Sequence, residues 1–208
     1  MLTFTTPINR TESVRVEIRA GNVGMAKSTL SRGLQACPSS SLLWTESIFM
    51  HPRPQRRSKL VDALKRCESA KEILLTAARL FWSDRKTDKA RGWFEKTIGA
   101  DGRWGDGWTF YYAFELAHAQ QGEDSKLKAL EARCEKAEPK TGERWQQCAK
   151  AGAGVGKQTI DIMKAAARDV PSPFEVPWAD LYTPIKSDTV LDEEMSQTPS
   201  HEQGRMKS

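Results

Sequence analysis

The chain has 208 residues and a net charge of +5, with 28% charged and 38% hydrophobic residues, which is ordinary for a soluble helical protein of one domain or one repeat stack. No stretch approaches the roughly 18–20 apolar residues of a membrane-spanning helix, and residues 1–6 lack the basic start and apolar core of a signal peptide. The cysteines show no C-x-x-C spacing, so we expect reduced, buried thiols in a cytosolic or nuclear protein at Cys37, Cys67, Cys134 and Cys148.

The charge is unevenly distributed along the chain. Residues 171–208 contain seven acidic and three basic residues, a net charge of −4, so residues 1–170 carry +9. A basic body suits an acidic partner, such as RNA or an acidic protein face. An ordinary solvated helical surface is the alternative interpretation.

Five positions recur as the starts of helix-periodic runs. These positions are Arg10, Trp44, Leu74, Trp108 and Trp145, and the intervals between them are 34, 30, 34 and 37 residues. This is the period of a helix–turn–helix repeat, in which each pair of helices stacks on the next. The sequence therefore predicts an all-α solenoid of about five helix pairs.

A second helix is expected after several of these starts. Small or apolar residues recur there at helical spacing: Ala26, Leu30 and Leu34; Ala90, Phe94 and Ile98; Leu127, Leu130 and Cys134. Such residues form one stripe that faces a neighbouring helix. Gly21-Asn22 and residues 122–124 are typical of turns between paired helices, and Pro38 lies where proline cannot continue a helix.

The densest basic run lies between residues 51 and 59. We expect it to be an exposed loop between the two helices of the Trp44 repeat, because prolines interrupt it. It could contact RNA phosphates or an acidic partner, or act in nuclear targeting, and a solvated loop is the alternative. The candidate partner-binding residues are Arg53, Arg56, Arg57 and Lys59.

The run that starts at Trp108 has the sharpest signature. Trp108, Tyr111, Phe114 and Glu115 form the pattern W-x-x-Y-x-x-F-E, which is that of the half-a-TPR (HAT) repeat found mainly in RNA-processing proteins. We expect the aromatic side chains to pack between helices and the glutamate to pair with a cation or cap a backbone group. The predicted repeat core is Trp44, Leu74, Ala90, Phe94, Trp108, Tyr111, Phe114 and Trp145.

Residues 151–159 imitate a phosphate-binding loop without meeting its requirements. Ala151 stands where the first glycine belongs, Gln158 stands where Ser or Thr would hold magnesium, and no strand precedes the segment. Three glycines in this stretch predict that the preceding helix ends near Lys150. The three histidines are far apart and have no cysteine at metal spacing, so we predict no catalytic residue, cofactor or metal.

Residues 171–208 form a Pro-rich acidic tail with few large apolar residues. Such a segment cannot bury enough surface to offset its ordering entropy. We therefore expect this tail to be disordered.

Several motifs, in order and spacing, resemble the C-terminal end of the pre-mRNA-processing factor 6 family. They include Leu34-Gln-Ala-Cys-Pro38, Val61-Asp-Ala-Leu-Lys-Arg-Cys67, Leu80-Phe-Trp82 and Gly105-Asp-x-Trp108. The similarity covers roughly residues 11–170, while residues 1–10 diverge from the family. The expected organisation is a divergent segment at 1–10, HAT/TPR-like repeats at 11–170, and the tail at 171–208.

The resemblance implies a non-catalytic scaffold of the U5 particle in the nucleus. The family bridges U5 to U4/U6 in the tri-snRNP during pre-mRNA splicing, and its repeats contact other splicing proteins. RNA contact would be peripheral or indirect, with no membrane or small-molecule substrate. A HAT-repeat scaffold of another RNA-processing complex is the alternative function.

Overall fold

The computed structural model describes residues 6–119, 124–151 and 158–170, and these residues form ten helices without a strand. The predicted all-α fold is confirmed. The helices are α1 (Pro7–Arg19), α2 (Val23–Ala36), α3 (Ser41–Met50), α4 (Arg53–Arg66), α5 (Lys71–Ser83), α6 (Thr87–Ala100), α7 (Gly105–His118), α8 (Asp124–Ala137), α9 (Glu143–Lys150) and α10 (Thr159–Arg168).

Successive helices pack as pairs, and the pairs stack in chain order. Within the pairs, α1 packs on α2, α3 on α4, α5 on α6, α7 on α8, and α9 on α10. The first helices of neighbouring pairs also pack together, from α1 on α3 through to α7 on α9. Each pair thus contacts mainly its neighbours, which is the packing of a helical-repeat solenoid.

The apolar core follows the stack in three clusters. The first is centred on Val14 and Leu30 of the first pair, and the second on Ile48 and Leu60. The largest runs from α5 to α10 and contains most of the aromatic side chains, including Phe94. Leu34 of α2 packs against both of the smaller clusters, so the core is continuous between the first two pairs.

Local chemistry sets the ends of the first helices. The Thr6 hydroxyl accepts the backbone N–H of Asn9 at 3.4 Å, which caps the N-terminus of α1. After α1, Gly21 has a φ of 77°, and the backbone N–H of Asn22 donates to the Glu17 carbonyl at 2.8 Å. This left-handed glycine ends the helix and lets the chain reverse into α2, as the sequence predicted.

The prediction of a loop across the basic run is wrong. Residues from Arg53 onward are the first turns of α4, and the helix contains Pro54 in its first turn. Proline is well tolerated there, because the first N–H groups of a helix have no partner within it. The two prolines around Arg53 therefore begin a helix instead of interrupting one.

Other boundaries can be compared directly with the sequence expectations. Helix α9 ends at Lys150, as predicted. The expected boundary at residue 10 falls inside α1, which begins at Pro7. Three predicted features lie outside the described residues. They are the glycines of the segment that imitates a phosphate-binding loop, part of the predicted turn at 122–124, and the tail at 171–208.

No helix in the described part of the chain is both long enough and apolar enough to cross a membrane.

Candidate interaction surfaces of the solenoid

Two of the anchor tryptophans, Trp44 and Trp108, hold the chain segment that precedes their own helix. The indole N–H of Trp44 donates to the Pro38 carbonyl at 2.8 Å. The indole N–H of Trp108 donates to the Gly102 carbonyl, also at 2.8 Å. Both acceptors lie six residues upstream, so an equivalent, partly buried hydrogen bond fixes the entry into the second and fourth pairs.

The eight candidate core residues all lie buried, with exposed fractions of 9% or less: Trp44, Leu74, Ala90, Phe94, Trp108, Tyr111, Phe114 and Trp145. The Phe94 ring stacks on Tyr111 with centroids 5.3 Å apart and contacts Phe114 at 5.1 Å. Aromatic rings in such arrangements add to the free energy gained from burial. The structure thus brings six of the eight together in the largest cluster, while Trp44 lies in the second.

The glutamate of the W-x-x-Y-x-x-F-E motif pairs with an arginine of the preceding helix. Glu115 is 6% exposed and accepts two hydrogen bonds from Arg91, at 2.6 and 3.2 Å. This bidentate pair raises the pKa of Arg91 above its usual value, against the smaller effect of burial. The motif glutamate therefore locks α7 onto α6.

A second polar network joins α6, α7 and α8. Glu95 accepts hydrogen bonds from both terminal nitrogens of Arg133, at 2.8 and 2.7 Å, and from the Tyr111 hydroxyl at 2.8 Å. The Arg133 hydrogen bonds lower the pKa of the Glu95 carboxyl, with a smaller contribution from Tyr111. Burial, followed by the hydrogen bond to Glu95, raises the pKa of Tyr111. The network is therefore charged at neutral pH.

The carboxylate of Asp106 connects the fourth pair to the fifth. Its two oxygens accept the backbone N–H groups of Glu143 at 2.8 Å and Trp145 at 3.0 Å, at the start of α9. Burial raises the pKa of Asp106, and the two backbone hydrogen bonds oppose this shift. A side chain of α7 thus caps the N-terminus of α9, where an anion is favoured.

The first helices of all five pairs line one cavity of about 400 Å³. Arg15 of α1 contacts Glu46 of α3 at 2.9 Å and Glu143 of α9 at 3.1 Å. The first and last pairs therefore approach each other across this cavity. Acidic side chains, arginines and two aromatic rings, Trp104 and Phe110, share its wall.

A row of alternating arginines and phenylalanines crosses the stack beside this cavity. The Arg79 guanidinium lies 4.5 Å from the Phe49 ring centroid and 4.8 Å from that of Phe110. At one end of the row, the Arg56 guanidinium lies 5.9 Å from the Phe49 ring centroid. At the other end, the Arg144 guanidinium lies 5.6 Å from the Phe110 ring centroid. These contacts are within the range of cation–π attraction and connect α4, α3, α5, α7 and α9.

The four candidate partner-binding residues do not form one exposed group. Arg56 donates to the Phe49 carbonyl at 3.1 Å and to the His51 carbonyl at 2.9 Å, so it caps the C-terminus of α3. Burial lowers the pKa of Arg56 relative to an exposed arginine. Arg57 bonds Asp84 at 2.9 Å, Lys59 lies 3.9 Å from Asp62, and Arg53 is exposed with no ion pair among the described residues.

The sequence did not point to the Asp106 cap or the arginine–phenylalanine row. A signal for the cap was nevertheless present, because an acidic residue stands two positions before the anchor tryptophan in both repeats. Asp106 precedes Trp108 in this way, and Glu143 precedes Trp145. The row had no comparable signal, since Phe49, Arg79 and Phe110 meet only through the stacking of three pairs.

Neither a metal nor a redox site is built within the described residues. They contain no group of three or more metal-ligating side chains, and none of the four cysteines is in a disulfide. Burial raises the pKa of Cys134 to about 12, which keeps this thiol protonated at neutral pH.

The chain is 45% identical over 122 residues to Pre-mRNA-processing factor 6 of Homo sapiens, a match that covers 59% of this chain and 13% of that protein. The resemblance to pre-mRNA-processing factor 6 is confirmed. Pre-mRNA-splicing factor prp1 of Schizosaccharomyces pombe is 40% identical over 139 residues, which cover 67% of this chain and 15% of the relative. Pre-mRNA-splicing factor 6 of Saccharomyces cerevisiae is 29% identical over 137 residues, which cover 64% of this chain and 15% of that protein.

The similarity to pre-mRNA-processing factor 6 concerns a small part of that protein. The matches of this chain span 13–15% of the length of these three relatives. The chain matches no family model. Each of the three relatives is named as a factor of pre-mRNA processing or splicing.

Proposed function

We propose that this chain is a non-catalytic scaffold in pre-mRNA splicing that acts in the nucleus through protein–protein contacts. The observation that carries the proposal is the 45% identity over 122 residues to Pre-mRNA-processing factor 6. Like the C-terminal end of that family, it would take part in bridging U5 to U4/U6 in the tri-snRNP. Its repeat body would comprise residues 11–170, between a divergent segment at 1–10 and an acidic tail at 171–208.

The face formed by the first helices is the surface that we assign to protein partners. Its cavity of about 400 Å³ has both signs of charge and the rings of Trp104 and Phe110 in its wall. Aromatic and arginine side chains are the residues that contribute most to protein interfaces. The mixed charge favours a partner segment that carries both acidic and basic side chains.

The basic residues at 53–59 have unequal parts in this proposal. Arg56 holds the end of α3 and stabilises the fold. A partner that binds Arg57 or Lys59 must compete with Asp84 or Asp62. Arg53 is exposed, so it is the member of the group that remains accessible to a partner.

Affinity purification of the tagged chain from nuclear extract tests this function, with proteins identified by mass spectrometry and RNAs by sequencing. We expect U5 and U4/U6 proteins together with their RNAs. Recovery of cleavage or polyadenylation factors without U5 proteins would contradict the splicing assignment and favour another RNA-processing complex. A matched variant is the chain with Arg19→Ala and Gln147→Ala, which removes exposed side chains from the cavity wall and leaves the buried core unchanged.

A further inference from the structure

An apolar groove lies where the C-terminal ends of α5, α7 and α10 meet. It has a volume of about 240 Å³, and we call it the α7–α10 groove. Its wall is formed by Trp82, Ala113, Leu116, Ala117, Ala167, Arg168 and Val170. All of these side chains except Arg168 are hydrophobic. Covering such a concave surface with another hydrophobic side chain is favourable in water.

The groove combines a fixed aromatic wall with an exposed rim. Trp82 is 3% exposed, and its ring meets the Phe114 ring edge-on with centroids 5.6 Å apart, so packing holds the indole in place. Ala113, Leu116 and Ala117 follow each other at helical spacing on one side of α7. Leu116 is 49% exposed although it borders this buried ring. The groove is therefore formed in advance, with an open apolar side.

The chain itself leads into the groove after α10. The backbone N–H of Val170 donates to the Ala167 carbonyl at 3.2 Å, and both residues belong to the groove wall. Residues 171–208 therefore start at its rim. At full extension Phe174, four residues later, lies at most about 14 Å from Val170. The first residues of the tail are thus within reach of the whole groove.

The tail begins with a short sequence suited to such a groove. Residues 171–178, which we call the apolar segment, read Pro171-Ser-Pro-Phe-Glu-Val-Pro-Trp178. Its three prolines favour an extended backbone and restrict the free chain, which lowers the entropy cost of ordering it. In an extended backbone Phe174, Val176 and Trp178 point to the same side. This segment is the part of the tail best able to depart from the disorder expected for residues 171–208 as a whole.

Tethering, size and charge favour this segment over a separate partner. A group attached to the rim by a few residues has an effective concentration in the millimolar range. A cavity of about 150 Å³ is enough for benzene, so the larger groove has room for the Phe174 ring. Arg168 at the rim is exposed and forms no ion pair within the described residues, and Glu175 directly follows Phe174.

We propose that the apolar segment of this chain docks in its own α7–α10 groove, with the Phe174 ring against Trp82 and Leu116 and the Glu175 carboxylate beside Arg168. This goes beyond the scaffold function, because it gives an intramolecular ligand to a surface that shares no residue with the cavity of the first helices. A partner protein would reach the groove only by displacing the segment.

Photo-crosslinking of the purified full chain tests where the segment lies. The photoreactive amino acid p-benzoylphenylalanine replaces Phe174, the protein is irradiated at low concentration, and crosslinked peptides are identified by mass spectrometry. We expect crosslinks within one molecule to Leu116 or its neighbours on α7. The control carries the same amino acid in place of Val190, farther along the tail.

Chymotrypsin cleavage after Phe174 and Trp178 measures docking in the full chain without the photoreactive group. Leu116→Glu places a charge on the groove rim, and Val61→Glu is the matched control because both wild-type residues are 49% exposed. Cleavage follows the population of the undocked segment when docking is fast. We expect Leu116→Glu to be cleaved faster than wild type by about fivefold or more, and Val61→Glu to be cleaved at the wild-type rate.

Three results would overturn the proposal. The first is a crosslink pattern from position 174 that is as scattered as that from position 190. The second is crosslinking between molecules only, which would make a second copy the occupant. The third is equal cleavage of wild type and Leu116→Glu. Circular dichroism checks that each variant is folded, and Ala117→Glu, at the same exposed rim, provides the same test if Leu116→Glu does not fold. Because only the purified chain is used, failure here is independent of the extract experiment.

Discussion

The Asp106 carboxylate accepts the backbone N–H of Trp145 at 3.0 Å, although the two residues belong to different helix pairs. It also accepts the N–H of Glu143, so one side chain satisfies two donors at the start of α9. This connection fixes the register of the fifth pair on the fourth.

Asp106→Asn should destabilise the chain by about 1–3 kcal/mol, because the amide group can no longer accept both backbone N–H groups and one buried donor loses its partner. Thermal and urea unfolding of the variant measure this loss. The matched control is Asp88→Asn, since the Asp88 side chain is 99% exposed. Exposed substitutions usually change stability by less than about 0.5 kcal/mol, so equal effects in the two variants would refute the capping role.

Trp108→Ala should destabilise the chain by roughly 3–5 kcal/mol, because a large buried ring leaves a cavity between stacked helices. The wild-type Trp108 side chain is 3% exposed. The alanine variant also loses the hydrogen bond from the indole N–H to the Gly102 carbonyl. Trp108→Phe separates the two effects, since it keeps much of the ring and removes the N–H. A melting temperature of the alanine variant within a degree or two of wild type would refute the packing assignment.

Two glycines on neighbouring helices should respond in opposite ways to alanine. A Cβ at Gly105 would overlap the Trp145 indole, so Gly105→Ala must displace the fifth pair and should destabilise the fold. A Cβ at Gly92 of α6 meets no atom within 4 Å. Gly92→Ala should therefore stabilise the chain by about 0.5–1 kcal/mol through its helix propensity. Parallel thermal melts test both, and the same sign of change in the two would contradict the close approach at Gly105.

Stability should fall in acid partly through Glu95. Arg133 lowers the folded-state pKa of this carboxyl, so its contribution is present above the unfolded value of about 4.3 and is lost as pH falls through the folded pKa. Glu95→Gln should thus be less stable than wild type at pH 7, and the difference should shrink below pH 4. Urea unfolding across this range measures it. Arg133→Gln should reproduce the profile, whereas a difference that is constant with pH would contradict the ion pair.

The parts of the fold that could be predicted from the sequence are those with local signals. The anchor tryptophans and the stripe from Ala90 to Ile98 are visible as helical periodicity, and the burial of one side of a helix follows from it. Gly21 marked a turn because a left-handed backbone favours glycine. The prolines around Arg53 misled the prediction, because proline both ends helices and begins them.

The contacts between pairs could not be predicted in the same way. Asp106 and Trp145 are 39 residues apart, and Arg79 meets two rings from neighbouring pairs. Such contacts depend on how the pairs rotate relative to each other, which no single repeat encodes. The exposure of a cation depends on them as well, so the sequence grouped Arg56 with Arg53 although only Arg53 is accessible.

Sedimentation of the tagged chain in splicing-competent nuclear extract tests the central claim most directly. Gradient fractions are probed for the chain and for the U4, U5 and U6 RNAs, with Trp108→Ala as the destabilised control. The account predicts that the wild-type chain co-sediments with U5 or with the U4/U6·U5 particle and that the variant does so less. Sedimentation of a folded wild-type chain as free protein, or with a complex that lacks all three RNAs, would contradict it.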